Sequence, residues 1–271
     1  MVNKKTVNYV TPASDKVLYA IVDVVFMLFL IIILYPIIFV LSASFSSGAA
    51  LDSGRVILWP VEPTIEGYKA VFAYNGVVSG YRNSIFYTVM GTAINVVVTL
   101  LAAYPLTRSD FPARKFFMML CTITMFFGGG LVPFYILMVD IRMINTIWAI
   151  LLPGSLSVYN MILVRTNMIS TIPKELFEAA RIDGCNDTRY FFNIVLPLSK
   201  AVIAVITLYY AVGHWNSYFN AMIFLRDRDL FPLQLILREI LVSDRLDLTE
   251  IVDPEVLARL VGLENLLKYA L

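Results

Sequence analysis

Five stretches of about 20 or more mostly apolar residues recur along this chain, and few folds can house them. They run roughly over 17–41 ("VLYAIVDVVFMLFLIIILYPIIFVL"), 84–106, 116–139, 145–168 and 201–225. A helix rising about 1.5 Å per residue needs about 20 such residues to cross the hydrocarbon core of a bilayer. Lipid offers no partners for backbone N–H and C=O groups, so each stretch reads as a helix. The 271 residues are 59% hydrophobic and 15% charged, against about 45–50% and about 25% in soluble domains. The fold class is therefore all-α, a polytopic transmembrane helix bundle forming a single domain over 1–271. The net charge of +1 offers no polyanion-binding surface, so nucleic acid is not an expected partner.

Lysine and arginine in the short loops set the orientation. Lys4, Lys5 and Lys16 precede the first span, and Arg108, Arg114 and Lys115 lie between the second and third. The loop between the third and fourth has only Arg142, beside Asp140. The N-terminus is expected on the cytoplasmic side. The opening "MVNKK" and the long run after it lack a signal peptide's short core and cleavage site, so the first span should be retained. Pro36, the run Gly128–Gly130 with Pro133, and the pair Pro153–Gly154 interrupt three spans. They fit either kinked packing or broken helices lining a path. Cys121 and Cys185 have no CxxC spacing and read as free thiols, and a lone His214 builds no multi-histidine metal site.

Between the fourth and fifth spans sits a polar insert, 173–200, containing "EAARIDGCNDTRYFFNIVLP". Pro173 suits a first helical turn. Lys174 to Asp183 reads as a short amphipathic helix with Leu176, Ala179, Ala180 and Ile182 as its apolar residues. Gly184 suits the left-handed residue that ends a helix. Asn186 or Asp187 can cap a second helix, which Pro197 interrupts. The two helices fit equally a docking knob and a pair lying on their own bundle.

These residues resemble a family. Glu178-Ala179-Ala180, three residues, Gly184, nine residues, Ile194, one residue, then Leu196-Pro197 match the EAA motif of permease subunits from bacterial binding-protein-dependent ABC importers. "GGGLVPFYILMVDIRMINTIWAILLP" and "YYAVGHWNSYFNAMIFLRDRDLFPLQLILREIL" are similar to maltose-permease-type carbohydrate importers, closest to the branch handling complex oligosaccharides and polysaccharide fragments. The resemblance covers about residues 15 to 269. It implies the fold of a type I importer permease in a bacterial cell membrane. It also implies partners: a second homologous permease, two ABC ATPase subunits, an extracellular binding protein and an oligosaccharide. ATP and Mg would be bound by the ATPases, with no cofactor and no catalysis in this chain. Glu178, Ala179, Ala180, Asp183, Gly184, Ile194, Leu196 and Pro197 would then form the ATPase-coupling element. In two places the chain departs from the pattern. Ala201 stands where many relatives have a second proline, which predicts the second helix running on into span five. The family's small permease has six spans, and this chain stops at "LENLLKYAL", where a sixth is expected.

Span five carries "HWNSYFN" at mid-depth, where polar groups are costly. Tyr209, Asn216 and Asn220 fall on one helical stripe with Ser217 beside them. Amides and rings suit sugar hydroxyls and sugar faces, and the same amides also suit packing between helices. The segment 226–264 is expected outside the cell, with Leu233, Ile236, Leu237 and Ile240 as its apolar stripe. An ion-coupled carrier or channel is the alternative function. It would need protonatable groups deep in several spans, where Asp23 and His214 stand almost alone.

Overall fold

The computed structural model describes residues 13–73 and 75–243, and every regular element among them is helical. They fall into two compact units, one holding residues 13–73 and the other 75–243.

In the first unit, α1 (Ala13–Ser44) is one helix of 32 residues, about 48 Å long at 1.5 Å per residue. Pro36 lies inside it, and the helix continues past it to Ser44. Its apolar side chains are exposed around the helix along almost the whole length, as a span surrounded by lipid requires. The short helices α2 (Gly48–Asp52) and α3 (Glu66–Ala73) follow. The loop between them is sewn to the end of α1. Ser42 Oγ donates to the Leu58 carbonyl at 2.6 Å, Val61 N–H donates to Ser46 Oγ at 3.0 Å, and Thr64 N–H to the Phe45 carbonyl at 2.9 Å. Glu62 accepts hydrogen bonds from Ser47 Oγ and Arg55 Nη2. Those two partners, Ser47 first, hold its carboxyl below the usual carboxylate range.

The second unit is organised around α4 (Asn75–Thr107), against which α8 (Val158–Thr171), α12 (Lys200–Trp215) and α14 (Leu233–Ser243) pack. Helices in lipid gain little from the hydrophobic effect, so close packing and polar stitches hold them. Both are present here. Gly91 lets the His214 ring come so close that a Cβ there would collide with it. Asn95 Nδ2 faces His214 Nε2 at 3.2 Å, Thr99 Oγ1 and Tyr210 Oη share a hydrogen bond of 2.7 Å, and Tyr210 Oη accepts from Ser157 N–H at 3.1 Å. Further along α4, Leu100, Ala103 and Leu106 share a core with Met161, Val164, Val202 and Ile206.

The expected third, fourth and fifth spans are broken. α5 (Arg114–Phe126) and α6 (Leu131–Asp140) meet at 115° across the glycine run. Gly130, immediately before α6, sits at φ +80°, a conformation that L side chains resist. The fourth stretch splits into α7 (Trp148–Leu151) and α8 around Pro153–Gly154, with Ser157 Oγ capping α8. With 14 residues, α8 reaches about 21 Å, short of the roughly 30 Å core. The fifth stops at Trp215 and resumes as α13 (Phe219–Phe224). At this break Asn216 Nδ2 donates to the Val212 carbonyl at 2.9 Å, which also accepts from the Asn216 backbone N–H at 3.1 Å. Tyr209 and Asn220 therefore do not share one continuous helical stripe.

Among the described residues, two helices are long and apolar enough to cross a bilayer alone, Asp15–Ser44 and Gly76–Thr107. Two bent pairs reach that measure together: Arg114–Phe126 with Leu131–Asp140, and Asp187–Leu198 with Lys200–Trp215.

At the other end of α4 the chain after α13 folds back onto the helix. Asn83 Nδ2 donates to the carbonyls of Asp229 and Phe231, Tyr87 Oη to that of Leu230, and Leu233 N–H donates to Ser84 Oγ. Leu233, Leu235 and Ile236 of α14 are buried. The buried set thus includes Leu235, outside the expected stripe. The remainder of the expected segment 226–264 lies outside the described residues.

Candidate functional site

The polar insert folds as a helix, a glycine turn and a second, irregular helix. The first helix is α9 (Lys174–Ile182). Its apolar side splits by spacing. Phe177 and Ala180, three residues apart, turn toward the bundle, and Ala180 is buried. Glu178, Ala179, Asp183 and Gly184 are exposed. So the motif's paired alanines do different work. Ala179 is exposed, while Ala180 packs on this chain's own core. Ile182 was expected on the apolar face but stands 87% exposed. It lies beside the turn, beyond the edge of the bundle.

Gly184 has φ +74°, and Cys185 N–H closes the turn on the Ala180 carbonyl at 2.9 Å. This is the left-handed helix ending that glycine alone adopts freely. Asn186 then caps α10 (Asp187–Tyr190), its Oδ1 accepting from Arg189 N–H at 2.8 Å. The chain widens into a π turn over Phe191–Val195 and re-enters α11 (Leu196–Leu198). Pro197 has no N–H for an α ladder at this point. Ile194 and Leu196 are partly buried against the core, and Pro197 is exposed. The insert does not run on into α12. The two meet at 79°, with the break at Ser199. Ala201 lies past that break, so its difference from a proline leaves the bend in place.

Aromatic rings join the insert's two halves and seat it on the bundle. Within the insert Tyr190 meets Phe177 edge-on at 5.1 Å, and Phe191 lies 4.9 Å from Tyr104 of α4. Each such pair adds about 0.5–1.5 kcal/mol beyond its buried area. The second fastening is Arg108, just past α4. Its guanidinium carbon sits 3.2 Å from the centre of the Phe177 ring. It bonds both Asp110 carboxylate oxygens, at 3.1 and 2.8 Å, and pairs with Asp187 at 3.7 Å. The bonded Arg108 holds the Asp110 carboxyl below the usual carboxylate range. A cleft of about 290 Å³ opens beside these groups, lined by Tyr104, Arg108, Phe177, Glu178, Arg181 and Tyr190 among others. Sequence reading used Arg108 only as an orientation marker. The aromatic at position 177, one residue before the motif glutamate, was the available clue.

The other candidates stand apart from the insert. Tyr209 is exposed on α12, Asn216 is exposed at its end, and Ser217 and Asn220 are partly buried around the break.

The bundle and its insert can be set beside known proteins. The sequence profile of the binding-protein-dependent transport system inner membrane component matches residues 8–234. The chain belongs to that family. It is 37% identical over 216 residues to the polygalacturonan/rhamnogalacturonan transport system permease YtcP of Bacillus subtilis (strain 168), covering 80% of this chain and 75% of that one. It is 27% identical to the arabinooligosaccharides transport system permease AraQ of Halalkalibacterium halodurans, over 75% of each chain. The crystal structure of a bacterial ABC transporter involved in importing the acidic polysaccharide alginate contains a chain of the same fold. It superposes with a TM-score of 0.86 at 32% identity, covering 96% of this chain and 91% of that one. The chain is thus a membrane-spanning permease of the ABC importer type, a component that acts with other ABC subunits.

Proposed function

We propose that this chain is the transmembrane subunit of an ATP-driven importer and forms part of the path for an oligosaccharide. The carrying observation is the insert: a helix ended by Gly184 that keeps Glu178, Ala179 and Ile182 exposed while Phe177, Tyr190 and Phe191 fix its base. A knob with a packed base can transmit a push; a solvated loop cannot. The relatives named above are permeases of polygalacturonan/rhamnogalacturonan and arabinooligosaccharide transport systems, which supports that cargo class. The same relatives favour this reading over an ion-coupled carrier.

In the full assembly, a second permease completes the path and two ATPase subunits bind ATP and Mg on the cytoplasmic side. An extracellular binding protein delivers the sugar. The N-terminus and the insert share the cytoplasmic side. Five spans cross the membrane within this chain. Glu178 accepts an ion pair from an ATPase base, and Ala179 allows close approach. Tyr209, Asn216, Ser217 and Asn220 present ring, amide and hydroxyl groups to the sugar near the break in span five.

The test is co-purification and uptake in proteoliposomes holding the complete transporter and its binding protein. Glu178→Lys reverses the charge at the dock. Gly184→Pro demands φ near −65° where the chain has +74°. Both variants should insert into membranes normally yet lose bound ATPase or ATP-dependent uptake. Wild-type association and uptake in both would overturn the docking role.

A further inference from the structure

Within that proposed importer, we infer that Arg108 is a positioning residue that locks the coupling insert to α4, so that movement of the insert becomes movement of the spans. Four observations carry this. Arg108 sits one residue past α4, and its side chain is only 14% exposed, although the loop around it is polar. It touches both halves of the insert: the Phe177 ring in α9 and the Asp187 carboxylate in the first turn of α10. Asp110 grips the guanidinium with two bonds, which fixes the plane of the fork against the ring. The aromatic packing on that side leaves the cleft between α4 and α9 open, so there Arg108 is the clasp across a gap rather than one contact among many.

The chemistry favours arginine specifically. A planar guanidinium can stack on a ring and still bond a carboxylate with both edges, whereas an ammonium is a point charge that does one or the other. Partial burial makes the stack worth more than at an open surface. Removing the clasp leaves Phe177, Tyr190, Phe191 and the α4–α12 seam to hold the insert and bundle together. The insert would stay attached but could slip relative to α4, and ATP would be spent with less sugar moved.

The experiment uses the whole importer, with its ATPases and binding protein, in proteoliposomes loaded for ATP hydrolysis and sugar uptake. The readout is sugar imported per ATP hydrolysed, with assembled complex counted separately. Arg108→Ala and Phe177→Leu should each lower that ratio, by about fivefold or more. The double variant should be no worse than the poorer single, because both break one clasp. Arg108→Lys should not restore the ratio, whereas Phe177→Tyr, which keeps a ring, should. A role limited to folding would reduce the amount of complex and leave the ratio alone, which would overturn the inference. Independent, multiplying losses would also overturn it. If Arg108→Ala fails to assemble, the Phe177 pair still decides the question. If the wild-type complex imports no sugar with ATP, the importer reading itself fails, which is a separate result from a normal ratio in the variants.

Discussion

Gly91→Ala sets two physical effects against each other, and the structure says which wins. In an exposed helix this change gains about 0.5–1 kcal/mol, because alanine has less backbone entropy to lose. Here the new methyl carbon would lie 2.8 Å from His214 Cδ2 and closer still to Cε1 and Nε2. Forcing a methyl into such a seam costs about 1–3 kcal/mol. The His214 ring can retreat only by leaving Asn95, 3.2 Å away, and interhelical hydrogen bonds in membranes average about 0.6 kcal/mol. The clash outweighs the propensity gain, leaving a net loss of about 1–2 kcal/mol. Thermal unfolding in detergent, followed by loss of the monodisperse peak, should show a midpoint lower by a few degrees. The control is a double-mutant cycle with His214→Ala, which empties the space the methyl needs. In that background Gly91→Ala should cost almost nothing or stabilise. If Gly91→Ala stabilises the wild-type chain, or costs the same with and without the ring, the close approach is not what holds α4 to α12.

Two further outcomes are expected. Asn216→Leu removes the amide at the end of α12, so it should change the sugar dependence of uptake while leaving subunit assembly intact; unchanged transport kinetics would count against a path role for this residue. Glu62 has a folded-state pKa lowered from the ordinary 4.5 by Ser47 and then Arg55, so its contribution is present above 4.5 and is lost as pH falls through the lowered value. Arg55→Ala should therefore move the Glu62 titration back up toward 4.5 by NMR, and an unmoved titration would refute the pairing.

What could be read from the sequence was what is encoded locally. Apolar run length gave the helical membrane class, because lipid leaves the backbone no other partner. Gly184 and Asn186 gave the end of one helix and the start of the next, since a left-handed φ and a side-chain cap depend on a few neighbouring residues. Contacts across long separations were not readable. Nothing around Arg108 says that Phe177, 69 positions later, will lie under it. Ala179 and Ala180 look alike in sequence, and only the bundle beneath α9 decides which is buried. The break after Trp215 was hidden because Asn216 was read as a side chain for cargo, while in the fold its amide takes a backbone carbonyl first. The glycine run was read as either kink or break, and the bend of 115° settles it as a break.

The distribution of polar contacts along α4 argues for a rod rather than a relay of small shifts. Asn83, Ser84 and Tyr87 hold the chain after α13. Asn95 and Thr99 hold α12. Tyr104 and, just past the helix end, Arg108 hold the insert. From Asn83 to Arg108 a helix extends about 37 Å, slightly more than the hydrocarbon core. One unbroken element therefore carries fastenings at both ends and the middle, while the neighbouring stretches 116–139, 145–168 and 201–225 are each interrupted. A long helix clamped along its length moves as a body, and broken helices beside it can change their angles without straining it. On that basis a push at the insert should displace the Asn83 end together with the Arg108 end. Distances measured by paired spin labels at the two ends of α4 should stay constant between ATP-bound and ATP-free transporter. The distance from α4 to α5 should change. A changing length within α4 would mean that the rod bends and that coupling runs by another route.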